Sequence, residues 1–503
     1  MKPVRPLSIL QAICLLIPLA FSTGTFDHYA TPKLAIFLFG SFLVLLAVLL
    51  YYRGAINLPR VILVSFLSYG VLQLYQTLRL PMPIEGLFGA YGQSESLAVQ
   101  IGYAALFLGG YLFVRTERDH WAWLETIVLT TFLITLYGIF QYFYGDPIDL
   151  REISRMESLF GDPNSFGAYL ILVFPLVLWK TAQERRPWAR ALLLVALYLS
   201  ATALALTFSR SAWLGFMVGL AVLSASLFWS AKTAKPFWPR FLIILGCGAA
   251  AFLLVKLGFI WLAVGISLLL TGWGFNKKIF FDNNLLAHTL MILLIAGIVT
   301  SQVFTLYQPR AARDYNLGSR IDSLSKGQDS GRLLIWQIAW RVFQQAPVLG
   351  EGIGSFQDSF HKFQSARAVN HWGPDKDLRQ VHNEFLHYLG TQGLLGLACF
   401  LWLLASLLYC ARPRPGIPIE NRIGPCALWA SLLSYLVFVQ FAYSLVHYAF
   451  LFWIELGILL GLYFPPASEA AAGAKRVHLK VLLGAAMVVW AIPVFSLYYS
   501  DQL

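Results

Sequence analysis

The chain has 503 residues, of which 58% are hydrophobic and 12% are charged, and its formal net charge is +12. A soluble domain carries charges on about a quarter of its residues, so this chain cannot cover itself with polar surface. The basic residues lie in short clusters between apolar runs, as in proteins whose orientation in a membrane they fix, and this distribution argues against a nucleic-acid partner.

Apolar runs of about 20 residues recur along most of the chain, and each is long enough to cross a bilayer as a helix. We predict spans near residues 7–22, 33–52, 59–77, 97–115, 121–142, 165–180, 190–208, 211–229, 241–255, 257–272, 285–304, 389–410, 425–443, 447–465 and 479–497. The first run is interpreted as an uncleaved helix rather than a signal peptide because so many spans follow it. The sequence therefore predicts an all-α polytopic membrane protein.

Alternate loops between these spans differ in their content of Lys and Arg, and the richer loops are expected in the cytoplasm. The clusters of the richer set include Arg185 and Arg186, Lys277 and Lys278, and Lys475 and Arg476. The N-terminus belongs to the same set and is expected to be cytoplasmic, with the protein in the inner (cytoplasmic) membrane.

One long polar loop, residues 305–388, belongs to the opposite set and is predicted to be periplasmic, or extracellular if there is no outer membrane. We therefore divide the chain into an N-terminal transmembrane bundle (1–304), this loop (305–388) and C-terminal transmembrane helices (389–503). A loop of this length inside a compact protein is usually functional, so we expect the loop to carry catalytic residues.

The loop contains an amphipathic pattern in the sequence GRLLIWQIAWRVFQQAP. Its polar side carries Gln337, Arg341 and Gln344, and its apolar side carries Leu334, Ile335, Ile338 and Val342. The pattern predicts a helix that lies in the membrane interface.

Arg210 lies in the sequence TFSRSAWLG, at a tight junction between two predicted spans on the outer side. A basic residue at such a junction is costly unless it is paired or used, so we predict a functional role. The alternative is an arginine whose charge is satisfied by water or by lipid headgroups.

Arg332 begins the amphipathic helix of the loop, with Asp329 or Ser330 as the expected cap. Its planar guanidinium matches the geometry of phosphate oxygens, so Arg210 and Arg332 would together be able to clamp a diphosphate without a metal. A salt bridge or a headgroup contact is the alternative for Arg332.

His382 precedes a predicted span in the sequence QVHNEFLHYLGTQGLLG. A histidine at the membrane edge is able to act as a general base at neutral pH, with Glu384 or another carboxylate fixing its tautomer. Asn383 and His387 fall on one side of the helix that follows, so His387 is a weaker candidate. A surface histidine without a catalytic role is the alternative.

Three further polar features have simpler explanations. The sequence GDPN at 161–164 is typical of a turn and a helix N-terminus, although Asn164 would lie on the outer side and line the same site. Asp375-Lys376-Asp377 resembles a short metal-binding pattern, and we expect no metal there. Glu455, inside an apolar span, is expected to form a structural ion pair or to remain a neutral acid.

The segments GDPNSFGAYL, SRSAWLG, GRLLIWQIAWRVFQQAPVLGEGIGSF and HNEFLHYLGTQGLLGL follow one another within residues 155–410. As an ordered set they resemble the O-antigen ligase and polymerase superfamily of bacterial membrane glycosyltransferases. The resemblance implies a GT-C-like bundle of about 12–15 transmembrane helices. It also implies one long periplasmic loop that contains short amphipathic helices.

The same resemblance implies a reaction and its site. Glycan would pass from an undecaprenyl-diphosphate carrier to an acceptor hydroxyl on the periplasmic side, with inversion at the anomeric carbon and with no metal or other cofactor. Arg210 and Arg332 would bind the diphosphate, and His382 would activate the acceptor. The secondary candidates are Asn383, Glu384, His387, Arg341 and Asn164.

The acceptor is left open by the sequence. The leading hypothesis is a ligase that uses a lipid A–core acceptor. The alternatives are a polymerase that extends a growing glycan and an oligosaccharyltransferase that modifies protein hydroxyls. A solute transporter is the remaining alternative, and it would place ionisable residues near the middle of the membrane rather than in an outer loop.

Overall fold

The computed structural model describes residues 6–25, 27–52, 56–89, 95–148, 153–229, 330–374, 376–414 and 421–466. Fifteen α-helices occur in these residues. In chain order they are α1 (Pro6–Leu19), α2 (Ala30–Tyr51), α3 (Arg60–Leu78), α4 (Pro83–Phe88), α5 (Leu97–Phe113), α6 (Glu117–Tyr144), α7 (Pro163–Gln183), α8 (Pro187–Leu206), α9 (Arg210–Trp229), α10 (Ser330–Gln345), α11 (Phe356–Phe363), α12 (Ala366–Trp372), α13 (Glu384–Ala411), α14 (Ile423–Phe438) and α15 (Val446–Tyr463).

Each predicted span within the described residues corresponds to one helix. The short helices α4, α10, α11 and α12 are not predicted spans. Seven of the described helices, α2, α3, α6, α7, α8, α13 and α15, are long and apolar enough to cross a membrane. The protein is therefore a polytopic helical membrane protein, as the sequence predicts. The spans predicted near 241–255, 257–272, 285–304 and 479–497, and loop residues 305–329, lie outside the described residues. The three-part division of the chain stays a prediction.

One compact unit contains α1 to α5, the start of α6, α10 to α13 and α15. Within it, α5 and α15 approach each other backbone to backbone. A Cβ atom on Gly110 would collide with the carbonyl oxygen of Ile454, and one on Gly457 would collide with that of Phe107. Glycines on both helices are therefore what allows this close packing.

Residues between 330 and 382 of this unit form a small folded module with its own apolar core, and we call it the outer module because the sequence predicts it to be periplasmic. The core of buried residues comprises Ile335, Ile338, Ala339, Val342, Phe356, Phe360, Ala368 and Val381. It joins α10, α11 and α12 to the chain just before α13. On α10 the apolar side predicted from the sequence is buried, while Gln337, Arg341 and Gln344 are exposed. The amphipathic helix is thus confirmed, with its apolar side facing protein.

α13 is interrupted at Gly393, whose backbone has φ 67° and ψ −168°. Helical geometry is lost at this residue, so the helix consists of an outer part, residues 384–392, and a longer inner part. A Cβ atom on Gly393 would lie 2.6 Å from the backbone nitrogen of Gly350. The break therefore needs glycine both for its left-handed φ and for the close approach of another backbone.

The other compact unit contains the rest of α6, α7, α8, α9 and most of α14. Its centre is α7, which is buried on almost all sides, as expected of a helix that is apolar all round. Ser431 of α14 donates a hydrogen bond to the carbonyl oxygen of Leu172 at 2.8 Å. Phe174 of α7 and Phe216 of α9 pack edge to face at 4.9 Å.

Candidate active site

The connection between α8 and α9 is only three residues long, 207–209. Phe208 takes a left-handed conformation with φ 49°, which reverses the chain within this space. The Ser209 hydroxyl accepts a hydrogen bond from the backbone N–H of Ala212 at 3.4 Å, and the Trp213 indole donates to the carbonyl oxygen of Leu204 at 3.0 Å. These bonds satisfy backbone groups that have no partner within their own helix, at the end of α8 and at the start of α9.

Arg210 is therefore the first residue of α9, where the tight junction predicted from TFSRSAWLG is found. Its side chain is half-buried. The first turn of a helix presents free backbone N–H groups and the positive end of the helix dipole, so this position favours a negatively charged ligand.

The N-terminus of α7 has the turn that the sequence predicts. Gly161 has a left-handed φ of 66°, and Pro163 is the first helical residue. Between them, the carboxylate of Asp162 accepts from the backbone N–H of Ser165 at 2.8 Å, as a helix cap. Asn164 is thereby held at the start of the helix, where its side-chain nitrogen donates to Asp162 at 3.2 Å.

Asn164 also belongs to a network that includes the α8–α9 junction. Its Oδ1 accepts from the Ser209 hydroxyl at 2.9 Å and from Nη2 of Arg155 at 3.2 Å. The Nε of Arg155 donates to the carbonyl oxygen of Thr207 at 2.8 Å. Arg155 thus connects the start of α7 with the residues that immediately precede Arg210.

Arg155 was not singled out from the sequence. The available signal was its location, because it lies in an outer loop of the set that is otherwise poor in basic residues. Its partners were not readable, since Thr207 is far from it in sequence.

His382 lies just before α13 and has a left-handed backbone with φ 56°, which is uncommon outside glycine. Its ring is half-buried and packs edge to face on Tyr443 at a centroid distance of 5.2 Å. Non-glycine residues keep such a conformation only when their surroundings hold them there, and they cluster at functional sites.

The two residues after His382 bind the segment between α14 and α15. Asn383 caps α13 by accepting from the N–H of Leu386 at 2.9 Å, and its side-chain nitrogen donates to the carbonyl oxygen of Gln440 at 2.8 Å. The Glu384 carboxylate accepts from the backbone N–H of Ser444 at 2.8 Å. Both secondary candidates therefore connect the N-terminus of α13 to the segment 440–444.

His387 is almost fully buried and forms an ion pair through Nε2 with the carboxylate of Glu95. Glu95 immediately precedes Ser96, which caps α5. The sequence suggested that a carboxylate would hold a histidine here and offered Glu384 for His382. The structure pairs Glu95 with His387, and nothing in the sequence around Glu95 marked it for this contact.

Arg332 lies in the first turn of α10 and is half-buried. The preceding residue, Gly331, packs against α12, because a Cβ atom on it would lie 3.3 Å from Nε2 of His371 and 3.4 Å from the Trp372 ring. Arg341 is exposed about two and a half turns further along α10. The expected cap Asp329 lies outside the described residues.

Asp377, the second acid of the Asp375-Lys376-Asp377 pattern, is occupied by neighbouring side chains. It accepts from Nε2 of Gln357 at 2.6 Å, and its other oxygen lies 3.3 Å from Nε2 of His361. Arg379 adds an ion pair at 3.7 Å. Asp377 therefore has a structural explanation within the outer module, and Asp375 lies outside the described residues.

The predicted site residues fall into two groups, one in each compact unit. Arg210 and Asn164 belong to the unit that contains α7. Arg332, Arg341, His382, Asn383, Glu384 and His387 belong to the unit that contains α13. Arg210 and Arg332 share a position in the first turn of a helix, and His382 lies beside a helix N-terminus.

The fold defines the class of protein, a multi-pass helical membrane protein. Its main predicted site residues, Arg210, Arg332 and His382, lie at or beside helix N-termini. The family model described as O-antigen ligase matches residues 195–401, a segment that includes Arg210, Arg332 and His382. Residues 195–401 are therefore similar to the O-antigen ligase family, and this match supports the resemblance stated from the sequence. A search of the curated proteins found no match to the chain.

Proposed function

We propose that this protein is a glycosyltransferase that transfers glycan from undecaprenyl-diphosphate to an acceptor hydroxyl on the periplasmic side of the membrane. The observation that carries the proposal is the O-antigen ligase match over residues 195–401, which contains two arginines in the first turns of helices and a histidine with a strained backbone beside a third.

The donor chemistry explains why arginines are needed. When the glycan leaves, negative charge develops on the diphosphate, and donors fixed in advance at that position lower the barrier. Arg210 and Arg332 each offer a planar fork of N–H donors that matches phosphate oxygens. Their positions in first turns of helices add backbone N–H groups and the favourable end of the helix dipole.

The acceptor chemistry requires a base. The acceptor oxygen attacks the anomeric carbon, its proton passes to His382, and the bond from that carbon to the diphosphate oxygen breaks. The diphosphate leaves on its lipid, so atoms and charge balance without another reactant. Attack from the face opposite the diphosphate gives inversion. In this proposal the positive charges of the two arginine side chains neutralise the diphosphate, a role that a metal ion has in other glycosyltransferases.

The most specific form of the proposal is a ligase with a lipid A–core acceptor. The match of residues 195–401 to a family described as O-antigen ligase supports this choice. A polymerase uses the same donor and would differ in accepting a growing glycan.

We expect Arg210→Ala, Arg332→Ala and His382→Ala each to lower transfer by about 100-fold or more, because each removes a group that acts in the transition state. The measurement uses purified protein, a labelled undecaprenyl-diphosphate glycan and lipid A–core. Arg367→Ala and His361→Ala, exposed residues of the same outer module, serve as controls and should retain transfer.

Full activity of all three variants would refute the proposed site. Label that appears on lipid A–core identifies a ligase, whereas longer glycan that stays on the carrier identifies a polymerase and overturns the ligase assignment.

A further inference from the structure

The outer part of α13, residues 384–392, does not take its position from the rest of the helix, because the break at Gly393 separates them. Its orientation has to be set by contacts to other elements. His382 and Asn383 continue directly from this outer part, so those contacts also determine where the His382 ring lies.

On one side, the turn at 346–352 closes the break. The N–H of Leu394 donates to the carbonyl oxygen of Pro347 at 2.8 Å, and that of Leu395 donates to Val348 at 3.0 Å. The N–H of Gly352 donates to the carbonyl oxygen of Thr391 at 2.7 Å. Backbone groups that the break would leave unpaired are thereby satisfied.

On the other side, side chains connect the outer part of α13 to α3. The hydroxyls of Tyr69 and Tyr388 are hydrogen-bonded at 2.7 Å, and Gln73 donates to Gln392 at 2.8 Å. These contacts lie in the second half of the segment. Among the side-chain contacts of the outer part with α3 and the start of α5, the ion pair between Glu95 and His387 is the one closest in sequence to His382.

The Glu95–His387 pair is largely buried. The His387 side chain is 2% exposed and that of Glu95 is 20% exposed. Both ring nitrogens of His387 are buried, and neither has a hydrogen bond of good geometry among the described residues. The ion pair between Nε2 and Glu95 is therefore the polar contact on which the imidazole depends. Breaking a buried pair by removing one partner leaves the other uncompensated, which is strongly unfavourable.

Other surroundings of His387 do not replace this contact. Phe356 of α11 packs edge to face on its ring at 5.8 Å, which fixes the plane of the ring but offers no acceptor. The nearby carboxylate of Glu384 is held by the N–H of Ser444. Loss of Glu95 therefore removes the polar contact of the buried His387 ring, one turn into α13, while Asn383 and Glu384 still connect the start of the helix to the 440–444 segment.

We propose that Glu95 is a positioning residue for the transfer reaction: through its ion pair with His387 it fixes the outer part of α13 and so holds His382 in its left-handed conformation. The inference rests on the proposed function, in which His382 takes the proton of the acceptor. Glu95 itself touches neither donor nor acceptor in this proposal.

The test compares Glu95→Gln, His387→Gln and the double variant, with the exposed Glu85→Gln of α4 as a matched control. Each single variant should lower kcat by about tenfold while leaving the KM for the carrier-linked donor unchanged, because donor binding depends on the arginines. The double variant should recover most of the lost kcat, since two amides hydrogen-bond without charge. Glu85→Gln should behave as wild type.

A second measurement does not depend on activity. In a background with its other cysteines replaced by serine, the maleimide reaction rate of His382→Cys should change by at least about threefold when Glu95→Gln is added. Wild-type kcat in Glu95→Gln, or an unchanged labelling rate at position 382, overturns the positioning role. An inactive wild-type protein whose labelling still responds to Glu95→Gln refutes the proposed function alone.

Discussion

Three residues other than glycine have a left-handed backbone in the described part of the chain: Ser158, Phe208 and His382. Each lies in or beside a segment that the sequence singled out. Phe208 precedes Arg210 by two residues. Ser158 lies in the turn before α7, and its hydroxyl donates to the carbonyl oxygen of Ile134 in α6. Strain of this kind persists where the surrounding structure fixes it, which is the property required of a preorganised site.

Glu184 shows how a single side chain closes a turn between two spans. Its Oε1 accepts from the Nε of Arg186 at 3.1 Å and from the backbone N–H of Arg186 at 3.0 Å. Its own carbonyl oxygen accepts from the Nε of Arg190 at 2.9 Å. The hydrogen bonds from Arg186 lower the pKa of Glu184 to about 2.

We expect Glu184→Gln to lower the thermal midpoint of the purified protein near neutral pH, because the amide cannot keep the charge-assisted bonds to Arg186. A depressed carboxyl pKa gives stability that is complete above the unfolded value of 4.5 and is lost as the pH falls towards about 2. The difference between variant and wild type should therefore shrink across that window. A difference that is the same at neutral and acidic pH would contradict this account.

At the scale of elements, helix packing depends on where glycines lie. Gly110 of α5 lies against the carbonyl oxygen of Ile454 in α15, whereas Gly70 of α3 has no atom within 4 Å of a Cβ position. The two glycines are both helical, so they differ in surroundings rather than in backbone conformation.

Gly110→Ala should destabilise the protein by about 1–3 kcal/mol, because the added methyl forces the two backbones apart. Gly70→Ala should be neutral or stabilising by about 0.5–1 kcal/mol, since alanine loses less conformational freedom on folding. Denaturation of the purified protein in detergent measures both. Equal stability of the two variants would show that α5 and α15 do not pack as described.

The interruption of α13 is an element that hydropathy does not reveal. A continuous apolar segment near 389–410 predicts a span, and the inner part of α13 agrees with it. The helix begins at Glu384 instead, and the break at Gly393 follows from the approach of the 346–352 turn. The turn contacts α3 as well, through a hydrogen bond from Gln76 to the carbonyl oxygen of Leu349 at 2.7 Å.

At the scale of the whole molecule, orientation in the membrane follows from the distribution of basic residues. The α7–α8 turn carries Arg185 and Arg186, and the outer module carries Lys376; Arg185 and Lys376 are exposed. We propose that the turn is cytoplasmic and the module is periplasmic.

Single cysteines test this orientation in a background where the five native cysteines are replaced by serine. In intact spheroplasts, Lys376→Cys should react with a membrane-impermeant maleimide, and Arg185→Cys should react only after permeabilisation. The reverse pattern would invert the topology and would place the proposed site on the wrong side for a periplasmic acceptor.

The sequence by itself determined the class of the protein, the approximate spans within the described residues, the amphipathic α10 and the resemblance that the family match supports. Hydropathy, helical periodicity and short ordered motifs are local properties, so they are readable from neighbouring residues. The turn and helix N-terminus at 161–164 and the tight junction before Arg210 are local in the same sense, and both were predicted correctly.

Only the tertiary structure decided which polar residues meet. Glu95 pairs with His387, and Arg155 pairs with the carbonyl oxygen of Thr207, across distances in sequence that no local pattern spans. The left-handed φ of His382 and the break at Gly393 likewise depend on elements that pack against them. Burial makes such contacts strong because a charge or a backbone group without a partner is costly away from water, and burial exists only once the helices have packed.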